Sequence, residues 1–208
     1  MSAEGLTQPE SAEEAHATSL GISNEKMAMW ALIGSECLFF GALISAYLIY
    51  QSRYNAAPEE ALTPGNLFDI PFTSVSTFVL LMSSLGMVLA LAAAQEADWR
   101  RFRTWTLATA LMGATFLSGQ FYEFTVFAAE GFTLTTSPFS SAFFVLTGFH
   151  GLHVAVGILM LVALWSRSMA GAIGPQQVDA VENIGLYWHF VDIVWILIFT
   201  LVYLIPAE

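Results

Sequence analysis

The 208-residue chain is 56% hydrophobic and only 11% charged, a profile that excludes an ordinary soluble domain. Six Lys and Arg against seventeen Asp and Glu give a formal net charge of -11, which excludes a nucleic-acid partner, because such proteins neutralise phosphates with clustered basic side chains. One cysteine, Cys37, excludes an internal disulfide and any multi-cysteine metal site.

The first element, residues 1–26, holds Glu4, Glu10, Glu13, Glu14 and Glu25 among Ser, Ala and Thr. It is too polar to bury a core and reads as an acidic tail on the cytoplasmic side. It lacks the basic start, apolar run and cleavage site of a secretory signal, so the first membrane helix is expected to serve as its own insertion signal.

Five apolar stretches follow, 27–50, 72–94, 104–128, 139–166 and 184–205, each long enough to span ~30 Å of hydrocarbon at ~1.5 Å per residue. Lipid offers free backbone groups no partner, so such stretches must be helices. The expected architecture is all-α, an integral membrane bundle of five transmembrane helices forming one domain over 27–205.

The first stretch carries Glu36, and its Gly41 and Ser45 are small residues four apart, a spacing that lets helix backbones pack closely. The connection 51–71, with Pro58, Pro64, Gly65 and Pro71, has no helical period and reads as a solvated outer loop. No charge interrupts 72–94. The third stretch bears Glu123 near its outer end, where water can solvate it. The fourth bears His150 and His153 with a second small pair, Gly151 and Ala155. In the fifth, His189 and Asp192 lie among Tyr187, Trp188, Phe190 and Trp195. Near span ends, Trp30, Tyr50, Trp105, Trp165 and Tyr203 read as interface anchors.

Lys26, Arg100, Arg101, Arg103 and Arg167 fall on one side of the membrane and Arg53 alone on the other. Basic residues of short loops stay cytoplasmic, so the N-terminus is expected inside and Glu208 outside, in a bacterial plasma membrane.

Ionisable groups within hydrocarbon cost a few kcal/mol each and are expected to face protein, pair, or line a polar route. Counted from the helix starts, Glu36 lies about 14 Å and Asp192 about 12 Å from the inner side, while His150 and His153 lie about 17 and 21 Å down from the outer side. These four share a layer, with His189 about one turn nearer the inside. Glu36 is expected to contact His153 or Asp192 there. Three chemistries remain open from the residues alone. The histidines can hold b-type haem, or with Glu36 a metal; the groups can pass protons; or they can form a structural hydrogen-bonded network.

Ser35-Glu36-x-x-Phe39-Phe40, Gln120-Phe121-Tyr122-Glu123, Thr147-Gly148-Phe149-His150-Gly151-Leu152-His153-Val154 and Tyr187-Trp188-His189-Phe190-Val191-Asp192-Ile193-Val194-Trp195 occur in this order. Together they resemble subunit III of the haem-copper terminal oxidases, over about Met27 to Ile205. The resemblance implies a non-catalytic chain with no haem or copper of its own. Both cofactors would reside in partner subunits of a respiratory enzyme that reduces dioxygen to water and translocates protons. It implies subunit I as the main contact, subunit II and a small subunit IV as further partners, and bound phospholipid. By the same resemblance Glu36 matches a buried acid on the proton-uptake side of subunit I, and His150, His153, His189 and Asp192 match polar positions of the last two family helices. The chain lacks the first two of seven helices found in longer members, which form half of a lipid-filled cleft. Cytochrome c is the expected electron donor and quinol the alternative. A proton-coupled transporter is a competing class, but no internal repeat or midplane proline is evident. A haem b membrane anchor is another that would explain the histidines.

Overall fold

The computed structural model describes residues 23–55 and 69–205, without the side chains of residues 54 and 55. Most of the acidic tail, the loop over 56–68 and the C-terminal residues 206–208 lie outside the described residues. The described residues form an all-helical fold: α1 is Asn24–Asn55, α2 Ile70–Gln95, α3 Trp99–Ala129, α4 Pro138–Met169 and α5 Val178–Phe199. A short 3-10 turn, Pro175–Gln177, leads into α5, and a π-helical turn, Thr200–Leu204, extends it.

Polar residues start three of the helices where the apolar run begins. Asp69 and Asp98 cap α2 and α3 by accepting from the backbone N–H of Phe72 and Arg101, and Ser137 caps α4 in a reciprocal box with Ser140. Proline in the first turn of α2 and α4 loses no helical hydrogen bond. Between α2 and α3 the chain reverses in three residues by placing Ala97 at φ 56, a conformation that a Cβ disfavours. Ala97→Gly is therefore expected to leave the fold intact and to leave stability unchanged or raise it by up to about 1 kcal/mol, read from thermal unfolding in detergent.

Helices α2, α3, α4 and α5 form a ring, each packed on the next, with α5 closing back on α2; α1 lies outside the ring against α4 and α5. Two tryptophans of α5, two turns apart, fill the centre. The Trp188 ring reaches Gly113 of α3 and Gly157 of α4, where an added Cβ would lie 2.6 and 2.7 Å from it, so only glycine lets the helices close around the indole. Trp195 packs edge-on to Phe116 of α3 and stacks on His150 of α4. Both indole N–H groups are satisfied by hydroxyls of α2, Trp188 donating to Ser83 at 3.0 Å and Trp195 to Thr77 at 2.9 Å.

At the end expected to face the cytoplasm, Lys26 bonds Glu182 at 2.6 Å, joining α1 to α5. Nearby, Arg103 donates to the hydroxyl and carbonyl of Ser168, joining α3 to α4. Phe127, Phe132, Phe139 and Phe143 form an aromatic cluster at the opposite end. Tyr203 joins it, packing against Phe143, Trp195 and Phe199. At 5% exposure it is a core residue rather than an interface anchor, held among those aromatic rings; Trp30, half exposed, keeps the surface position expected of an anchor.

Among the described residues, four helical segments are long and apolar enough to cross a membrane, Asn24–Arg53, Ile70–Gln95, Pro138–Met169 and Pro175–Leu204. The expectation of five such spans is thus met for four: α3 is not among them. Its lower apolarity has a visible cause. Thr106, Thr109, Gln120 and Glu123 are polar residues buried against neighbouring helices, and Thr104, Thr115, Ser118 and Thr125 return their hydroxyl protons to carbonyls of their own helix.

Candidate functional site

The motif on α1 interlocks with the motif on α4. Glu36, Phe39 and Phe40 recur at helical spacing and share the α1 side that meets Phe149, His150 and His153. The Glu36 carboxylate oxygen Oε2 lies 3.3 Å from His153 Nε2, both side chains being mostly buried. On its other edge the imidazole is fixed, since Nδ1 lies 2.7 Å from the Phe149 carbonyl. The rings of Phe40 and Phe39 flank the histidine at 5.0 and 6.5 Å, and Phe39 packs edge-on to Phe149 at 5.2 Å. From α5, the Tyr187 hydroxyl donates to the His153 carbonyl at 3.1 Å, and its phenol lies within electrostatic reach of Glu36. A polar pair is thereby held in a collar of aromatic rings where three helices meet.

His150, one turn from His153, belongs to a different environment. It is fully buried, stacked on Trp195 with centroids 4.8 Å apart, with the rings of Phe116 and Phe40 set edge-on around it. Neither ring nitrogen reaches a hydrogen-bond partner among the described residues. His150 and His189 do not face one another, because His189 turns away toward α2, where its Nδ1 lies 2.6 Å from the Ser84 hydroxyl.

Asp192 sits one turn beyond His189 and is 3% exposed. The Ser84 hydroxyl lies beside its carboxylate but is engaged by His189, and neither Asp192 oxygen has a bonded partner among the described residues. The shared layer therefore divides into two clusters, Glu36 with His153 between α1 and α4, and His189 with Ser84 and Asp192 between α5 and α2. Of the two partners expected for Glu36, His153 makes the contact and Asp192 does not. Among the described residues no three His, Cys, Asp or Glu side chains gather in an arrangement that would hold a metal ion.

Glu123 departs from the solvated state expected at the outer end of its helix. It is buried and accepts from the Thr73 hydroxyl of α2, a partner that lies fifty positions away and leaves no periodic trace in the sequence. Gln120, one turn earlier, donates through Nε2 to the Thr147 carbonyl at 2.9 Å. That contact depends on Gly151, where a Cβ would come within 2.6 Å of Gln120 Oε1. The small pair Gly151 and Ala155 thus faces α3, Ala155 lining the groove between α3 and α4. Gly41 and Ser45 instead lie on the exposed side of α1, and a Cβ at Gly41 would meet nothing within 4 Å.

Residues 9–206 match the family model described as cytochrome c oxidase subunit III. Among curated proteins, the chain is 37% identical over 193 residues to cytochrome c oxidase subunit 3 of Bacillus sp. (strain PS3), covering 93% of this chain and 91% of that protein. To cytochrome c oxidase subunit 3 of Synechocystis sp. it is 42% identical over 175 residues, covering 84% of this chain and 72% of that protein. Quinol oxidase subunit 3 of Bacillus spizizenii is 34% identical over 178 residues, with coverage of 86% and 85%.

Proposed function

We propose, since this chain belongs to the cytochrome c oxidase subunit III family, that it supports oxygen reduction and proton uptake by subunit I of a bacterial oxidase that takes electrons from cytochrome c. It is subunit III of a haem-copper oxidase, a non-catalytic subunit of a respiratory oxidoreductase. The match over residues 9–206 carries this reading. Cytochrome c is favoured as donor because relatives bearing that name reach 42% and 37% identity, against 34% for the quinol oxidase relative.

In this reading haem and copper belong to partner subunits, and all five helices cross the membrane. Glu123 and Gln120 of α3, satisfied by α2 and α4, support its crossing despite its composition. Basic residues clustered at the end where Lys26 and Arg103 make their contacts support a cytoplasmic N-terminus, with the acidic tail on that side. Subunit I docks on α1, whose uncovered Gly41 and Ser45 offer the close approach that helices in lipid use to associate, since no hydrophobic effect drives them together there. Subunit II, a small fourth subunit and phospholipid complete the surroundings. Glu36, His150, His153, His189 and Asp192 form the polar layer that supports proton delivery, with Glu36 a supporting group and not an obligatory carrier.

Removal of this chain from the purified oxidase tests the reading. The haem and copper absorption of subunit I is expected to persist while sustained turnover or complex lifetime falls; immediate stoichiometric loss of the metals would show that this chain supplies ligands. The chains and electron donor that co-purify in mild detergent identify the partners directly.

A further inference from the structure

We infer that Glu36 and His153 form a single-proton site, a pair that holds one exchangeable proton between Oε2 and Nε2 and is thereby neutral as a unit. The inference rests on the reading of the chain as subunit III and specifies what its polar layer holds. The geometry of the histidine carries it. A backbone carbonyl can only accept, so the 2.7 Å contact with the Phe149 carbonyl requires the proton on Nδ1. With Nδ1 so committed, Nε2 is either a bare lone pair or the second N–H of an imidazolium. A bare lone pair 3.3 Å from a carboxylate would be repulsive, whereas one proton held by either group makes the contact attractive, and the pairing of these two side chains is what points to that proton. That proton makes the pair either imidazolium and carboxylate or imidazole and carboxylic acid, and both arrangements carry zero net charge.

The surroundings favour that neutrality. Lys26 and Arg53 lie at the two ends of α1 and Arg167 in the last turn of α4, too far along the helices to compensate a charge at mid-depth. The titratable groups near the pair are Tyr187 from α5, His150 one turn back on α4, and Cys37 beside it on α1. Asp192 is turned toward α2. Phe39, Phe40 and Phe149 border the pair, so a net charge of either sign would sit against low-polarity walls. Proton movement inside the pair transfers a proton from Nε2 to Oε2 or back, with the Nδ1 proton fixed, so nothing else needs to be consumed or supplied. His153 is thus a positioning residue for Glu36. Its fixed tautomer decides which atom of the pair can receive a proton.

Infrared difference spectroscopy of the complete purified oxidase, recorded in water and deuterium oxide, tests this. One exchange-sensitive carboxyl–imidazole signature is expected to vanish in Glu36→Gln and the same signature to vanish in His153→Phe, while Tyr122→Phe, a phenol far from the pair, leaves it in place. Should either variant fail to assemble, Glu36→Asp keeps the carboxyl but withdraws it by one methylene, and a shifted signature is the expected result. Loss of unrelated signatures in the two variants, or an unshifted band in Glu36→Asp, would overturn the single-proton site. Turnover separates this inference from the wider reading. A shared signature with turnover unaffected by Glu36→Gln supports the pair and removes its part in proton delivery. Reduced turnover without the shared signature preserves the delivery role and removes the pair.

Discussion

Replacing Trp188 with alanine is expected to destabilise the folded chain by about 3–5 kcal/mol, the range for deleting a large buried aromatic side chain. Trp188 is completely buried and touches three helices other than its own, through Gly113, Gly157 and Ser83. Between membrane helices the stabilisation comes from close packing rather than from water exclusion, and the void left by an indole forfeits those contacts on every wall at once. Trp188→Phe retains most of the ring but leaves the Ser83 hydroxyl without the indole donor, and about 1 kcal/mol is expected for that loss. Unfolding of the purified complex in a denaturing detergent series measures both. A Trp188→Ala midpoint equal to that of Trp188→Phe would show that the ring centre is not packed as described.

Glu36→Ala is expected to have the second-largest effect, and to exceed Glu36→Gln clearly. Glutamine preserves the shape and can donate an amide proton to His153 Nε2, so folding should survive and oxidase turnover at neutral pH should fall by less than about tenfold, under ~1.4 kcal/mol on the barrier. Alanine leaves Nε2 facing an empty volume inside the aromatic collar and should cost about 1–3 kcal/mol of stability for the unsatisfied polar atom, with reduced assembly onto the rest of the complex. Assembly is read from co-purification, and proton release from a reconstituted vesicle assay. Complete abolition of pumping in a fully assembled Glu36→Gln complex would make Glu36 an essential carrier and contradict its supporting role.

Apolar run length made the helices and their order legible in the sequence, because helix formation in hydrocarbon is enforced by the backbone's own hydrogen-bonding requirement. Axial depth was legible too, since rise per residue is constant, and it brought Glu36 to the level of His153. Rotation about the helix axis was not. Asp192, expected at the depth of Glu36, turns to α2, while Trp188 and Trp195 of the same helix pack against α3 and α4. The burial of Glu123 is illegible for a related reason: proximity to the outer surface says nothing about a threonine supplied by another helix. The composition of α3 fell below that of its neighbours because polar residues satisfied by tertiary contacts count against apolarity just as exposed ones do.

The position of α1 outside the four-helix ring has a consequence for biosynthesis. Glu36 leaves the ribosome roughly a hundred residues before His153, and at ~5–20 residues per second the interval is on the order of ten seconds. During that time α1 has entered the bilayer, but α4 and α5, the two helices of its own chain that it packs against, have not been made. Of the five described helices, α1 therefore waits longest for the neighbours it packs against. A nascent chain arrested before α4 should show α1 cross-linking to lipid or to insertion machinery, and the same probe on the finished chain should reach α4 instead.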